Sequence, residues 1–291
     1  MSGRSTLPTV PEAFDSLQGA AAPRSRRRPR GALWAWIVFI IGATYFIVPL
    51  ISTLEFSLRP EPATRAYANV LADGRFFNGL GYSFVVGLIT IVLSLGLIVP
   101  TAYWVRLRLP RLRPIVEFVT LLPFVLPPIV LAYGLIRFYS REPLVVTGTQ
   151  LGSTGLLIAA YVILSFPYMY RAVDNGLASM DVRVLTEAAQ SLGAGWFRIL
   201  WSVIFPNLRV AILSGAFLTL AIVIGEFTIA SFLARPAFGP YLSNLGQNKS
   251  YEPAAVSIIS FGLTWLAMGV IAYLGRTRQG REGGVQVGGG H

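Results

Sequence analysis

Apolar residues gather into six blocks, at 33–54, 81–105, 115–138, 156–173, 210–233 and 254–274. Each is close to the roughly 20 residues a helix needs to cross a bilayer. The pattern predicts an all-α integral membrane protein with six transmembrane helices. Residues 1–32 are polar and rich in Pro, Ser and Arg, and end in Arg24, Arg26, Arg27, Arg28 and Arg30. That composition predicts a disordered cytoplasmic tail with a basic anchor beside the membrane. The block at 33–54 is too long for a signal-peptide core and lacks a small-residue cleavage site, so it reads as an uncleaved first span. Residues 76–276 then form one transmembrane domain, and 277–291, low in complexity, a flexible tail.

Between the fourth and fifth blocks lies a polar stretch, 181–207, that still carries order. Val184, Leu185, Ala188 and Leu192 recur at the spacing of one helix face. Asp181 is placed to cap that helix, and Gly193 with Gly195 to stop it. A second short helix is expected from Trp196 to Phe205, ended by Pro206, whose missing N–H breaks the ladder.

Charge settles the side of the membrane on which this stretch is expected. With the N-terminus in the cytoplasm, the inside segments hold six, four, four and three Arg. That makes 17 of the 24 Lys and Arg, an excess that marks cytoplasmic loops. Both termini and the 181–207 loop are then cytoplasmic, and 55–80 is an external loop. Trp34, Trp36, Tyr103, Trp104 and Tyr273 fall near the cytoplasmic interface, where amphipathic rings collect. The net charge of +11 is explained by these loops, and no nucleic-acid partner is expected.

Composition then narrows the chemistry. The chain is 54% hydrophobic and 13% charged, against about a quarter charged in a soluble domain. It has no Cys and a single His, His291, which removes thiolate, histidine and ordinary zinc chemistry. The only Lys, Lys249, follows Asn248, not Gly, so there is no phosphate-binding loop. Neither metal nor cofactor is expected, and ATP-driven work would need a partner's ATPase. Glu226 is the only acidic residue well inside a block, about 10 Å from its outer end. Such a carboxyl contacts a polar or cationic solute in a pathway, or makes a structural hydrogen bond to a neighbouring helix. Pro123, Pro127 and Pro128 interrupt the third block; they line a cavity with freed carbonyls or simply kink the helix. Ser83 with Gly87, and Ala211 with Gly215, put small residues four apart, as close helix crossings require. Arg171 and Asp174, three apart, are placed to pair.

The loop resembles that of the type I ABC importer permeases, whose pattern is Glu-Ala-Ala, three residues, Gly, nine residues, Ile, one residue, Leu-Pro. Glu187, Ala188, Ala189, Gly193 and Pro206 match in register, with Val203 in place of Ile and Phe205 in place of Leu. The resemblance implies a non-catalytic subunit whose loop couples it to two ABC ATPase subunits. It also implies a second permease subunit, identical or homologous, an extracytoplasmic solute-binding protein, and a bacterial inner membrane location. In that role Ala188 and Ala189 permit close approach, Gly193 permits a turn with positive φ, and Glu187 pairs with a basic group or backbone donors. The run from Gly225 through Pro240 looks most like polyamine permeases; iron(III), sulfate, thiamine and phosphonate permeases are similar in appearance. An ion-gradient-driven secondary transporter and a non-transporting scaffold are the readings from other classes. The former needs more buried ionisable groups than one Glu, and an internal repeat.

Overall fold

The computed structural model describes residues 32–143 and 145–263, with positions 265, 266 and 269. The expected tails, 1–31 of the first and all of 277–291, lie outside the described residues, as does the end of the sixth block. Among the described residues the fold is all-helical. The chain divides into two units, Met1–Ile51 and Ser52–His291. The first unit is the body of α1 (Ala32–Ser57), an apolar helix whose side chains, Trp34, Phe39 and Tyr45 among them, are exposed. Exposure of this kind suits a helix whose solvent is lipid.

The second unit contains α2 (Arg65–Ala72), α3 (Gly74–Arg108), α4 (Arg113–Val125), α5 (Pro128–Tyr139) and α6 (Gln150–Ala178). It continues with α7 (Val182–Ser191), α8 (Trp196–Asn207), α9 (Arg209–Gly225), α10 (Thr228–Phe232), α11 (Phe238–Asn248) and α12 (Glu252–Leu263). The helices α1, α3 and α6 are each long and apolar enough to cross a membrane. Two bent pairs raise the number of candidate spans to five. The structure therefore gives three to five spans among the described residues.

Both bends differ from the sequence expectation. The third block, whose prolines predict an interruption or kink within one span, is two helices meeting at 95°. The residue before a proline is driven out of the α region. Leu126 accordingly lies at φ −85°, ψ 118°, and Pro127 is extended too. Pro123, Pro100 and Pro167 sit inside continuous helices. The fifth block ends as a helix at Gly225, eight residues early, because Glu226 is extended. At its start, α8 meets α9 at 78°. Pro206 does not stop α8. The Leu200–Ile204 turn is a π turn, with Phe205 N–H reaching Leu200 O, and the helix continues to Asn207.

At the centre of the bundle α3, α6 and α9 pack together. Small residues allow the approach: Gly87 faces Leu220 and Val223 of α9, and Gly215 faces Met169 and Ala172 of α6. A Cβ at Gly87 would fall 2.6 Å from Leu220, so both small-residue pairs mark close crossings. Apolar clusters then fill three levels. One gathers Tyr103, Val173, Ile199 and Leu208, a second Leu157, Tyr161 and Ile229, a third Phe76, Phe238 and Val256.

Candidate functional site

The loop 181–207 folds as a short helix, a turn and a second helix. Asp181 caps α7, its side chain accepting from Val184 N–H at 3.1 Å. The chain then turns at Gly193, the only glycine with positive φ among the described residues (78°). A side chain there would be strained, although a Cβ would meet nothing within 4 Å.

The helix is inverted relative to an ordinary surface helix. Its buried residues are Val182 and Thr186. Most of the apolar stripe read from the sequence points outward: Val184 is 58% exposed, Ala188 is exposed, and Leu192, just past the helix end, is 88% exposed, while Leu185 is half-buried. Glu187 also faces outward and accepts from Arg183 Nε at 2.8 Å. That bond holds the Arg183 guanidinium above its usual range. Ala189 turns partly inward and packs on the first cluster.

The second half of the motif is the anchor. Ile199, Leu200, Ile204 and Leu208 are buried, and Val203 and Phe205 pack against them. The seven motif residues thus divide. Glu187 and Ala188 are presented outward, Ala189 borders the bundle and Gly193 forms the exposed turn, while Val203, Phe205 and Pro206 are half-buried in α8. Trp196, Phe197 and Trp201 of α8 are exposed aromatics.

One further contact ties this loop to the bundle and a second joins the helix ends beside it, and sequence spacing signalled neither. Tyr103 Oη of α3 and Thr186 Oγ1 of α7 lie 3.1 Å apart, both buried. Asp174, near the end of α6, does not pair with Arg171. It accepts from Arg106 at 3.1 Å and from Arg113 at 2.8 Å.

Glu226 lies away from the loop, in the break between α9 and α10. Its carboxyl oxygens accept from Ile229 N–H at 2.7 Å, Ala230 N–H at 3.1 Å and the Tyr161 hydroxyl at 2.9 Å. The first two are orphan donors of the α10 N-terminus, so the side chain caps that helix. Gly239 fits against the same break: a Cβ there would lie 2.2 Å from Glu226 O.

A bundle of long apolar helices, with two sharply bent helix pairs and an amphipathic helix exposed on a polar loop, defines a polytopic membrane protein. Comparison with known proteins identifies the family. Residues 94–280 match the model for the binding-protein-dependent transport system inner membrane component, and the chain belongs to that family, the type I ABC importer permeases. Members are non-catalytic membrane subunits that dimerise and work with binding-protein and ATPase partners, the ATPase hydrolysing the ATP.

The molybdenum transport system permease protein ModB of Escherichia coli (strain K12) is 31% identical over 189 residues, covering 59% of this chain and 81% of that protein. The spermidine/putrescine transport system permease protein PotB of Haemophilus influenzae is 27% identical over 223 residues, covering 69% and 75%. A probable sulfate transport system permease protein of Chlorokybus atmophyticus is 36% identical over 131 residues, with this chain spanning 44% of its length. Among solved structures, a bacterial ABC transporter involved in the import of the acidic polysaccharide alginate shares the fold. Its TM-score is 0.54 at 18% identity, over 92% of this chain and 99% of that one.

Proposed function

We propose that this chain forms half of the membrane pathway of an ATP-driven importer and that α7 is its coupling helix. The observation that carries the proposal is the outward apolar stripe of Val184, Ala188 and Leu192, on a helix whose own core contact is Val182 and Thr186. An amphipathic helix with its apolar face unpartnered fits a groove on another protein. Glu187, Ala188, Ala189 and Gly193 form the docking half of the motif; Val203, Phe205 and Pro206 seat it in the bundle. In the assembled transporter two such permeases face two ATPases. On the six spans expected from the sequence, both termini and α7 lie in the cytoplasm, in a bacterial inner membrane, with a solute-binding protein on the other side. Closure of the ATPases on ATP displaces α7, and the bundle rocks between its two openings.

The solute is small and charged. The run from Gly225 to Pro240 favours a polyamine-like cation, in line with the solutes for which PotB is named. The support that Glu226 lent to a cation is weakened, because its oxygens already take three protein donors. A tetrahedral oxyanion is the second reading, favoured by the molybdenum and sulfate relatives at 31% and 36% identity. Uptake into vesicles bearing the assembled transporter, competed with spermidine, sulfate or molybdate, separates the two.

The docking role is tested by affinity capture of the tagged chain from its native membranes. An ABC ATPase should accompany the wild type and be lost with Ala188→Trp, whose site is exposed and outside the bundle core. Equal ATPase recovery with both chains counts against α7 as the docking element.

A further inference from the structure

We propose that Asp174 is a positioning residue for coupling: with Arg106 and Arg113 it locks α3, α4 and α6 into one body that moves with α7. This rests on the reading of α7 as the coupling helix. Asp174 stands one turn before the end of α6, and only Ser179, Met180 and Asp181 separate α6 from α7. Its carboxylate is shared. Arg106, from the last turn of α3, reaches Oδ1 at 3.1 Å and also bonds the Asp174 carbonyl at 3.2 Å. Arg113, the first residue of α4, reaches Oδ2 at 2.8 Å and uses its Nε on Glu117. One carboxylate therefore joins three helices. Its side chain is 13% exposed and that of Arg106 27%, so water competes less with this bond than with that of Arg113, which is 45% exposed.

These polar bonds add to the apolar cluster that Tyr103, Val173 and Leu177 share, and they span places where that packing is interrupted. On one side a cavity of about 290 Å³ opens between α4 and α6, lined by Glu117, Thr120, Tyr170 and Arg171. On the other, a cavity of about 650 Å³ separates the α3–α4 turn from the α6–α7 connection, lined by Arg106, Pro110, Met180 and Val182. Apolar packing does not fill either space. The buried Tyr103–Thr186 contact continues the tie from α3 directly into α7. A displacement of α7 is thereby delivered to α3 and to the bent pair α4–α5, and is not absorbed in the α6–α7 connection.

The test uses the absence of Cys from the chain. Spin labels are placed at Arg111→Cys, on the turn before α4, and at Gln190→Cys, on the Arg183–Glu187 side of α7. Both positions are exposed. In the complex with its ATPase, the distance between labels is measured without nucleotide and after trapping with ATP and orthovanadate. In the wild-type background the distance should be the same in both states, because the labels ride on one body. In Asp174→Asn it should shift on trapping while the ATPase stays bound. Mere loosening of the fold would alter the distance without nucleotide as well. An unchanged distance in Asp174→Asn, or a shift in the wild type, overturns the proposal. Should Asp174→Asn fail to assemble, Arg113→Gln decides by the same criterion, since that side chain is 45% exposed. A wild-type chain that holds no ATPase would defeat the docking reading first, and this one with it.

Discussion

Removing the Glu226 side chain should destabilise the protein more than any ordinary polar substitution. In Glu226→Ala three donors lose their acceptor: Ile229 N–H, Ala230 N–H and Tyr161 Oη. Bulk water does not reach these donors in the folded protein, where Ile229 and Ala230 are 0% and Tyr161 1% exposed. Each buried donor left unmet costs about 1–3 kcal/mol. The three are neighbours on one acceptor, so the costs do not add in full. The lower end of the sum, about 3 kcal/mol, is the expected loss. Glu226→Gln retains one carbonyl oxygen but turns an amide N–H₂ towards remaining donors, and should lose about 1–2 kcal/mol. Denaturant unfolding of the purified protein in detergent, followed by tryptophan fluorescence, measures both. The order Ala below Gln below wild type is required. A Glu226→Ala protein within about 0.5 kcal/mol of wild type, the range of an indifferent surface change, would refute the capping argument. Lost uptake in such a protein would return Glu226 to the solute pathway.

Other outcomes follow from single contacts. Gly239→Ala would drive a methyl into the Glu226 carbonyl and should cost about 1–3 kcal/mol in the same unfolding assay. Asp73 caps α3 by accepting from Arg75 N–H, so Asp73→Ala should cost about 1 kcal/mol. The bond from the Arg75 guanidinium, above all, holds the Asp73 carboxyl below its ordinary value. The cap's contribution is therefore complete above about pH 4 and is lost as pH falls through the lowered folded-state value. Stability measured against pH should show this loss in the wild type and not in Asp73→Ala. Gly215→Leu would push into Met169 and Ala172, and should separate α9 from α6 with a loss of about 1–3 kcal/mol.

Much of the fold was legible because a bilayer enforces a simple rule: apolar blocks near 20 residues become helices. The helices α3 and α6 appeared where expected but start earlier, at Gly74 and Gln150. Their first turns are polar or glycine-containing and carry no hydropathy signal. The breaks were harder. Prolines at 100, 123 and 167 leave helices continuous, whereas Pro127 with Pro128 ends one. Composition alone does not separate a kink from a 95° bend, because neighbouring packing determines whether the freed carbonyls are satisfied. The early end of α9 was hidden for the same reason: Glu226 stops the helix by accepting bonds from α10 and from Tyr161, 65 residues away. In the loop, periodicity identified the stripe of Val184, Leu185, Ala188 and Leu192, but not that all of it except the half-buried Leu185 faces away from its own bundle. Asp174 shows the same limit. Its nearest cation in sequence is Arg171, yet its partners are 61 and 68 residues distant.

Cross-linking tests the central claim most directly. A single cysteine at Leu192, 88% exposed on the outward face, should form a zero-length or short cross-link to the ABC ATPase in the assembled transporter. A cysteine at Thr186, 2% exposed on the inward face of the same helix, should form none. Cross-linking from Leu192→Cys alone is the result the account predicts. Failure of Leu192→Cys to reach an ATPase that is demonstrably bound would contradict it.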